Sequence, residues 1–138
     1  MKRDWLKGIL MAGSAIVFVL ATAVQSYSQV EVGLKLLAED GVASDRLGSS
    51  ISVSGDTAVI GAYGDDDNGD SSGSAYVFVR DFDGAWKQEA KLLAEDGAAD
   101  DQFGISVSVF GDIAVIGAHY DDDGADGSGS AYVFVRDT

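Results

Sequence analysis

The chain has 138 residues, with 23 acidic against 9 basic side chains, a formal charge of -14, 18 glycines, and neither proline nor cysteine. The length allows one ordinary domain, the lack of cysteine excludes a disulfide framework or a cysteine nucleophile, and the single histidine, His119, excludes a His-rich zinc site of the usual kind. The negative charge argues against nucleic acid and anionic membrane surfaces, which would repel it, while an apolar fraction of 46% is too high for an acidic disordered tail.

Residues 1–28 read as a signal peptide and leader. Lys2, Arg3 and Lys7, diluted only by Asp4, form a basic start. An apolar run over 8–24 follows, broken by Ser14 and Thr22, and Ala21-Thr22-Ala23 has the small-x-small form of a cleavage site. Cleavage is expected after Ala23, with Ser26 and Ser28 as alternatives. The expected destination is secreted, extracellular or periplasmic, with no membrane attachment after cleavage. The competing reading is an uncleaved anchor, but the run is near the lower length limit for a spanning helix and rich in Gly, Ala and Ser. Cleavage after Ala23 removes three basic residues and one acidic one, taking the charge from -14 to -16.

Residues 29–138 are one unit written about twice, as 35–90 and 91–138. Aligned at an offset of 56 without a gap, 34 of 48 positions are identical. Lys35-Leu36-Leu37-Ala38-Glu39-Asp40-Gly41 recurs from Lys91, Ala58-Val59-Ile60-Gly61-Ala62 from Ala114, and Ser74-Ala75-Tyr76-Val77-Phe78-Val79-Arg80 from Ser130. Repeats of this length stack, because one unit cannot bury its own apolar face.

Within a unit the periodicity is that of strands. Residues 50–54 alternate serine with Ile51 and Val53, Gly55-Asp56 is a turn, and 57–62 is a second, mostly apolar strand. A long Asp/Gly/Ser loop over 63–73 leads to a third strand, 74–80, rich in β-branched and aromatic residues. Asp83-Gly84 marks a tight turn before a fourth strand over 86–93. The fold class is therefore all-β: antiparallel four-stranded sheets of the β-propeller-blade type, one for each of the two repeats. Tyr76, Phe78 and Trp86 are expected to fill the space between neighbouring sheets.

Leu47-Gly48…Gly61-Ala62-Tyr63 and Phe103-Gly104…Gly117-Ala118-His119 resemble FG-GAP repeats, the blade of integrin alpha-chain propellers and of many exported bacterial proteins. The resemblance covers almost all of 35–138. Leu47 departs from the opening Phe-Gly pair, and neither Gly-Ala is followed by proline. The resemblance implies propellers of about seven blades that serve recognition and adhesion; where members of the wider group are enzymes, their catalytic residues lie outside the repeat.

A closed propeller needs about 4–8 blades, and this chain supplies about two. The second copy stops at Thr138, before an equivalent of 86–93, while residues 30–37 precede the first copy and share its Lys-Leu-Leu, so they are expected to form an outer fourth strand. Two readings follow: a piece of a longer repeat array, or a two-blade subunit that assembles with further copies so that its first strand completes a last blade.

The loop between the second and third strands reads Asp65-Asp66-Asp67-Asn68-Gly69-Asp70 in the first copy and Asp121-Asp122-Asp123-Gly124-Ala125-Asp126 in the second. Carboxylates this close repel unless a cation or solvent separates them. Oxygen ligands on a Gly-rich loop suit calcium, which names Asp65, Asp67, Asp70, Asp121, Asp123 and Asp126 as candidate ligands. The alternative is a solvated, solubilising loop. The pattern is no EF-hand, and the integrin calcium loop lies between the first two strands, so its ligands do not carry over. In an up-and-down blade the 65–70 and 95–101 loops share a rim, making one face strongly acidic.

Enzyme readings are weak. The carboxylates all lie in repeated loops, with none singled out as a glycosidase pair, and no serine has a His and acid partner. His119 replaces Tyr63 of the other copy and reads as exposed or structural. The expected function is an extracellular recognition, adhesion or scaffold module, calcium-binding, without catalysis, whose partner is a protein or glycan. The alternatives are a purely structural fragment of a longer repeat protein, or a sugar-binding module completed by homo-oligomerisation, with Trp86, Tyr63 and Tyr120 as stacking surfaces.

Overall fold

A computed structural model describes residues 33–137. The leader lies outside them, as do residues 30–32 of the segment expected to form an outer strand. Among the described residues no helix is long and apolar enough to cross a membrane.

Among the described residues seven strands form two antiparallel sheets. The first copy gives β1 (Ser50–Ser54), β2 (Thr57–Ala62), β3 (Ser74–Arg80) and β4 (Trp86–Leu92), paired in that order. The second gives β5 (Ser106–Phe110), β6 (Ile113–Ala118) and β7 (Ser130–Val135), also in order. The blade-type strands expected from periodicity are present, and the two sheets are not closed into a propeller. Both copies keep one register: Ile60 pairs with Tyr76, and Ile116 with Tyr132. A bulge between Val77 and Phe78 interrupts the β3–β4 ladder, a common device for bending an edge strand.

The expected outer strand at 30–37 is corrected in its described part. Residues 33–37 belong to no sheet, because none of the described strands hydrogen-bonds to them. They are held by packing instead: Leu36 and Ala38 lie against a core of Ala58, Ile60, Ala62, Tyr76 and Phe78 on one face of the first sheet.

The other face of that sheet carries the main core. Val59, Ala75 and Val77 meet Ala114, Ile116 and Ala118 of the second sheet, with Phe103 wholly buried between them. Covered on both faces, β2 is buried along its full length. The serines of β1 face the second sheet: Ser52 and Ser54 accept hydrogen bonds from the Val109 and Gly111 amides at 3.0 and 3.1 Å, and Ser50 donates to the Gly104 carbonyl at 2.8 Å. Small polar side chains let β1 and β5 approach closely while the Ser52 hydroxyl satisfies the amide of buried Val109. The alternation of β1 therefore leaves Ile51 and Val53 exposed.

Candidate functional site

The acidic loops converge with the β4–β5 connection, as the shared-rim expectation required. The Asp100 amide donates to the Asp70 carbonyl at 2.8 Å, Gln102 to Ser71 at 3.1 Å, and the Asn68 amide group to the Ala94 carbonyl at 3.2 Å.

Asp65, at the head of the first loop, is buried under the end of β3. Its Oδ2 is 3.0 Å from the Ser74 hydroxyl, 3.0 Å from the Tyr76 hydroxyl and 2.9 Å from Lys91 Nζ, while Oδ1 accepts the Asp67 amide at 3.1 Å. Lys91 reaches this point because β4 pairs it opposite Tyr76. Its ammonium also lies 2.8 Å from Asp40 and 2.7 Å from Asp67, and the Tyr76 hydroxyl lies 2.9 Å from Asp40. One largely covered ammonium thus binds three carboxylates. Its hydrogen bond holds the Asp40 carboxyl below the usual range. At Asp65, burial pushes the pKa up, but the Lys91, Asp67 and Tyr76 hydrogen bonds outweigh it and the net shift is downward. Burial and the two adjacent carboxylates push the Tyr76 hydroxyl up to about 12.

The second copy repeats this node without the ammonium. Tyr132 Oη lies 2.6 Å from Asp121 and 2.9 Å from Asp96, and the Asp123 amide donates to Asp121 at 2.9 Å. The Tyr132 hydrogen bond lowers the Asp121 pKa. Asp123 shifts the other way, raised by its hydrogen bond to Asp96 and by the Asp121 charge. Among the described residues no lysine ammonium reaches this second node.

The six candidate ligands therefore fall into three sets. Asp65 and Asp67 share Lys91, and Asp121 and Asp123 share the second node. Asp70 and Asp126 are exposed beside their nodes, the former engaged through its backbone carbonyl. Among the described residues no group of three or more acidic or histidine side chains is arranged to hold a metal ion. The sequence reading missed Asp40, Asp96, Tyr76, Tyr132 and Lys91 as members of the nodes. A signal was available, since all recur at the offset of 56, with Lys35 the counterpart of Lys91. The sugar-stacking candidates are partly occupied: Arg46 sits 4.9 Å over the Tyr63 ring, Arg80 lies 5.8 Å from the Trp86 ring, and Tyr120, half exposed, stacks on His119 at 3.9 Å.

Between the sheets the two repeated motifs meet. Gly61 lies against the Gly104 carbonyl, where an added Cβ would stand 1.9 Å from that oxygen. The Gly104 amide donates to the Gly117 carbonyl at 3.0 Å, as the Gly48 amide does to Gly61. Phe103 turns its ring edge-on to Tyr132 and Phe134, with centroids 5.3 and 6.0 Å away. Compared with known families, the chain matches the FG-GAP repeat over residues 32–78 and again over 86–134. The chain belongs to the FG-GAP repeat family. No curated protein and no solved structure gave a match. In this FG-GAP chain, Phe103-Gly104 of one repeat is thus the stacking partner of Gly61-Ala62 in the other. The family match supports a structural or adhesion-type module.

Proposed function

We propose that this FG-GAP chain is an exported, non-catalytic recognition or scaffold module whose acidic rim contacts a basic protein partner. One observation carries the reading. The first node's carboxylates, Asp40, Asp65 and Asp67, are consumed by Lys91 and Tyr76, so they build the blade, while the exposed carboxylates outside the node remain for surface recognition. The mature chain should bind a Lys/Arg-rich probe peptide with an affinity that falls as salt rises. The triple variant Asp70→Asn/Glu95→Gln/Asp126→Asn should weaken it. Binding that ignores both salt and the triple variant would refute the rim as the contact surface. Export predicts that N-terminal sequencing of the mature protein starts near Val24; an intact Met1 on membrane-extracted protein would favour an anchor.

Calcium is a second reading, favoured by the uncompensated acids of the second node. In the first node a metal would have to displace Lys91, so the calcium reading rests on Asp121, Asp123 and Asp126 more than on Asp65, Asp67 and Asp70. Ligand bound only to the folded state raises its stability. Millimolar calcium should then raise the melting midpoint relative to chelator, with magnesium less effective because it demands a tighter octahedral shell. Asp123→Asn/Asp126→Asn should abolish the rise and Asp67→Asn/Asp70→Asn should spare it. A midpoint indifferent to calcium would remove the metal and leave the scaffold reading standing.

A further inference from the structure

The contact between the two sheets has its two halves displayed again on the outside of the molecule. Inside, Val59 and Val77 of the first sheet pack against Ala114 and Ile116 of the second. The first-copy counterparts of the latter pair, Ala58 and Ile60, line the other face of the first sheet. There they floor an apolar groove flanked by Ile51 and Val53, which are 62% and 59% exposed. The second-copy counterparts of Val59 and Val77, Val115 and Val133, are 38% and 63% exposed on the second sheet. One face therefore presents the socket, and the other the plug, of a contact the chain already makes internally.

Charge and strand pairing point the same way. Among the described residues no strand pairs with the outer edge of β7, and no ammonium enters the cluster of Asp96, Asp121 and Asp123. Lys35, the counterpart of Lys91, is exposed and has no carboxylate partner among the described residues. Its neighbour Leu36 packs on the groove face of the first sheet, as Leu92 of β4 packs on the internal contact. Residues 34–36 thus occupy the place of a fourth strand from a preceding sheet.

We propose that a second copy of this chain docks head to tail on the first. The Val115–Val133 face of one copy fills the Ala58–Ile60 groove of the next. Residues 34–36 of the receiving copy add to the edge of β7, and the Lys35 ammonium enters the Asp96, Asp121 and Asp123 cluster. The contact is heterologous, so it closes as a ring if the rotation allows. With two sheets per copy among the described residues, two to four copies reach the roughly 4–8 blades of a closed propeller. The arrangement also gives Gly48 and Gly117 a purpose. Inside the chain Gly61 is pressed on the Gly104 backbone, but Gly117 meets only its own Ser106 side chain closely and Gly48 nothing within 4 Å. Between copies, Gly117 would meet Gly48 as Gly61 meets Gly104.

The proposal goes beyond the recognition reading, and a monomer that still binds the basic probe would overturn the assembly alone. Sedimentation of the processed chain in chelator should give a small multiple of the protomer mass. Lys35→Asp or Asp123→Lys should each weaken assembly by about thirtyfold or more, the loss expected on breaking a covered charge pair, and the double variant should regain it. Gly117→Ala should weaken assembly without changing the circular dichroism of the dilute chain. The native chain has no cysteine, so Leu34→Cys/Val133→Cys, placed on exposed positions in the register of Ala90 and Val77, should oxidise to a ladder of linked copies. A monomer at all concentrations, a disulfide closed within one copy, an oligomer that requires calcium, or one indifferent to Lys35→Asp would each overturn the proposal.

Discussion

Gly61→Ala should cost this chain about 3 kcal/mol or more, whereas Gly117→Ala, the same change at the equivalent position of the second copy, should cost the dilute chain less than about 1 kcal/mol. Neither glycine has the positive φ that strains an L-residue, so the pair isolates a steric effect. At Gly61 the new Cβ would lie 1.9 Å from the Gly104 carbonyl oxygen and 2.3 Å from Ser50 Oγ. The first obstacle is backbone, and it is held on both sides: the Ser50 hydroxyl donates to the same carbonyl, and the Gly104 amide is bonded to Gly117. Relief requires the two sheets to part, which would loosen the packing around Phe103. At Gly117 the close atom is Ser106 Oγ at 2.4 Å, the movable end of a short side chain. A loss of about 3 kcal/mol would lower the melting midpoint by about 12–24 °C in a domain of this size. Thermal melts followed by far-UV circular dichroism would decide. Equal shifts for the two variants would mean that the sheets do not stack through the Gly61–Gly104 contact.

The contrast between these glycines also shows what was legible in the amino-acid sequence. Ser50–Ser54, Thr57–Ala62 and Ser74–Arg80 were readable because alternation, β-branched residues and Gly-Asp turns are local signals, and the repeat supplied each of them twice. That the serines of β1, rather than Ile51 and Val53, face the neighbouring sheet was not readable from alternation. It depends on how closely β5 approaches, which is a tertiary property. The strand expected at 30–37 failed in its described part for a related reason: likeness to β4 supplies propensity, but a strand exists only where a neighbour takes its hydrogen bonds. In the candidate site the local clustering of aspartates singled out the 65–70 and 121–126 loops, whose carboxylates would repel unless a cation or solvent separated them. The candidate ligand set left out Asp40 and Lys91, which lie far before and far after Asp65 in the chain and meet it only once the blade has folded.

Lys91→Met should destabilise the chain by about 3 kcal/mol at neutral pH, near the lower end of the cost of leaving covered charges without their partner. The Lys91 side chain is 16% exposed and Asp65 only 4%, but Asp40 and Asp67 are about half exposed, so water screens part of the repulsion left behind. The pH dependence separates this loss from simple loss of packing. In the native chain Asp40 and Asp65 have lowered folded-state pKa values, so their contribution is present above the unfolded value near 3.8 and is lost as pH falls through the folded values. Tyr76, raised from 10.0 to about 12, acts at the other end: its contribution is complete below pH 10.0 and is lost as pH rises towards 12. Removing the ammonium should turn the sign at the acid end. The stranded carboxylates would then titrate above their unfolded values, and protonating them would relieve the fold. The gap between native chain and variant should therefore be widest near neutrality, begin to narrow above about pH 4 as the variant's carboxylates protonate, and go on narrowing as pH falls through the lowered native values. Lys87→Met is the matched control, because the Lys87 ammonium stands in solvent and pairs with one carboxylate, Asp81, where Lys91 is covered and pairs with three. Urea unfolding of all three proteins across the acid range would test this. A gap that stays constant from neutral pH to about pH 2 would show that Lys91 stabilises the blade through its aliphatic stem and not by binding three carboxylates.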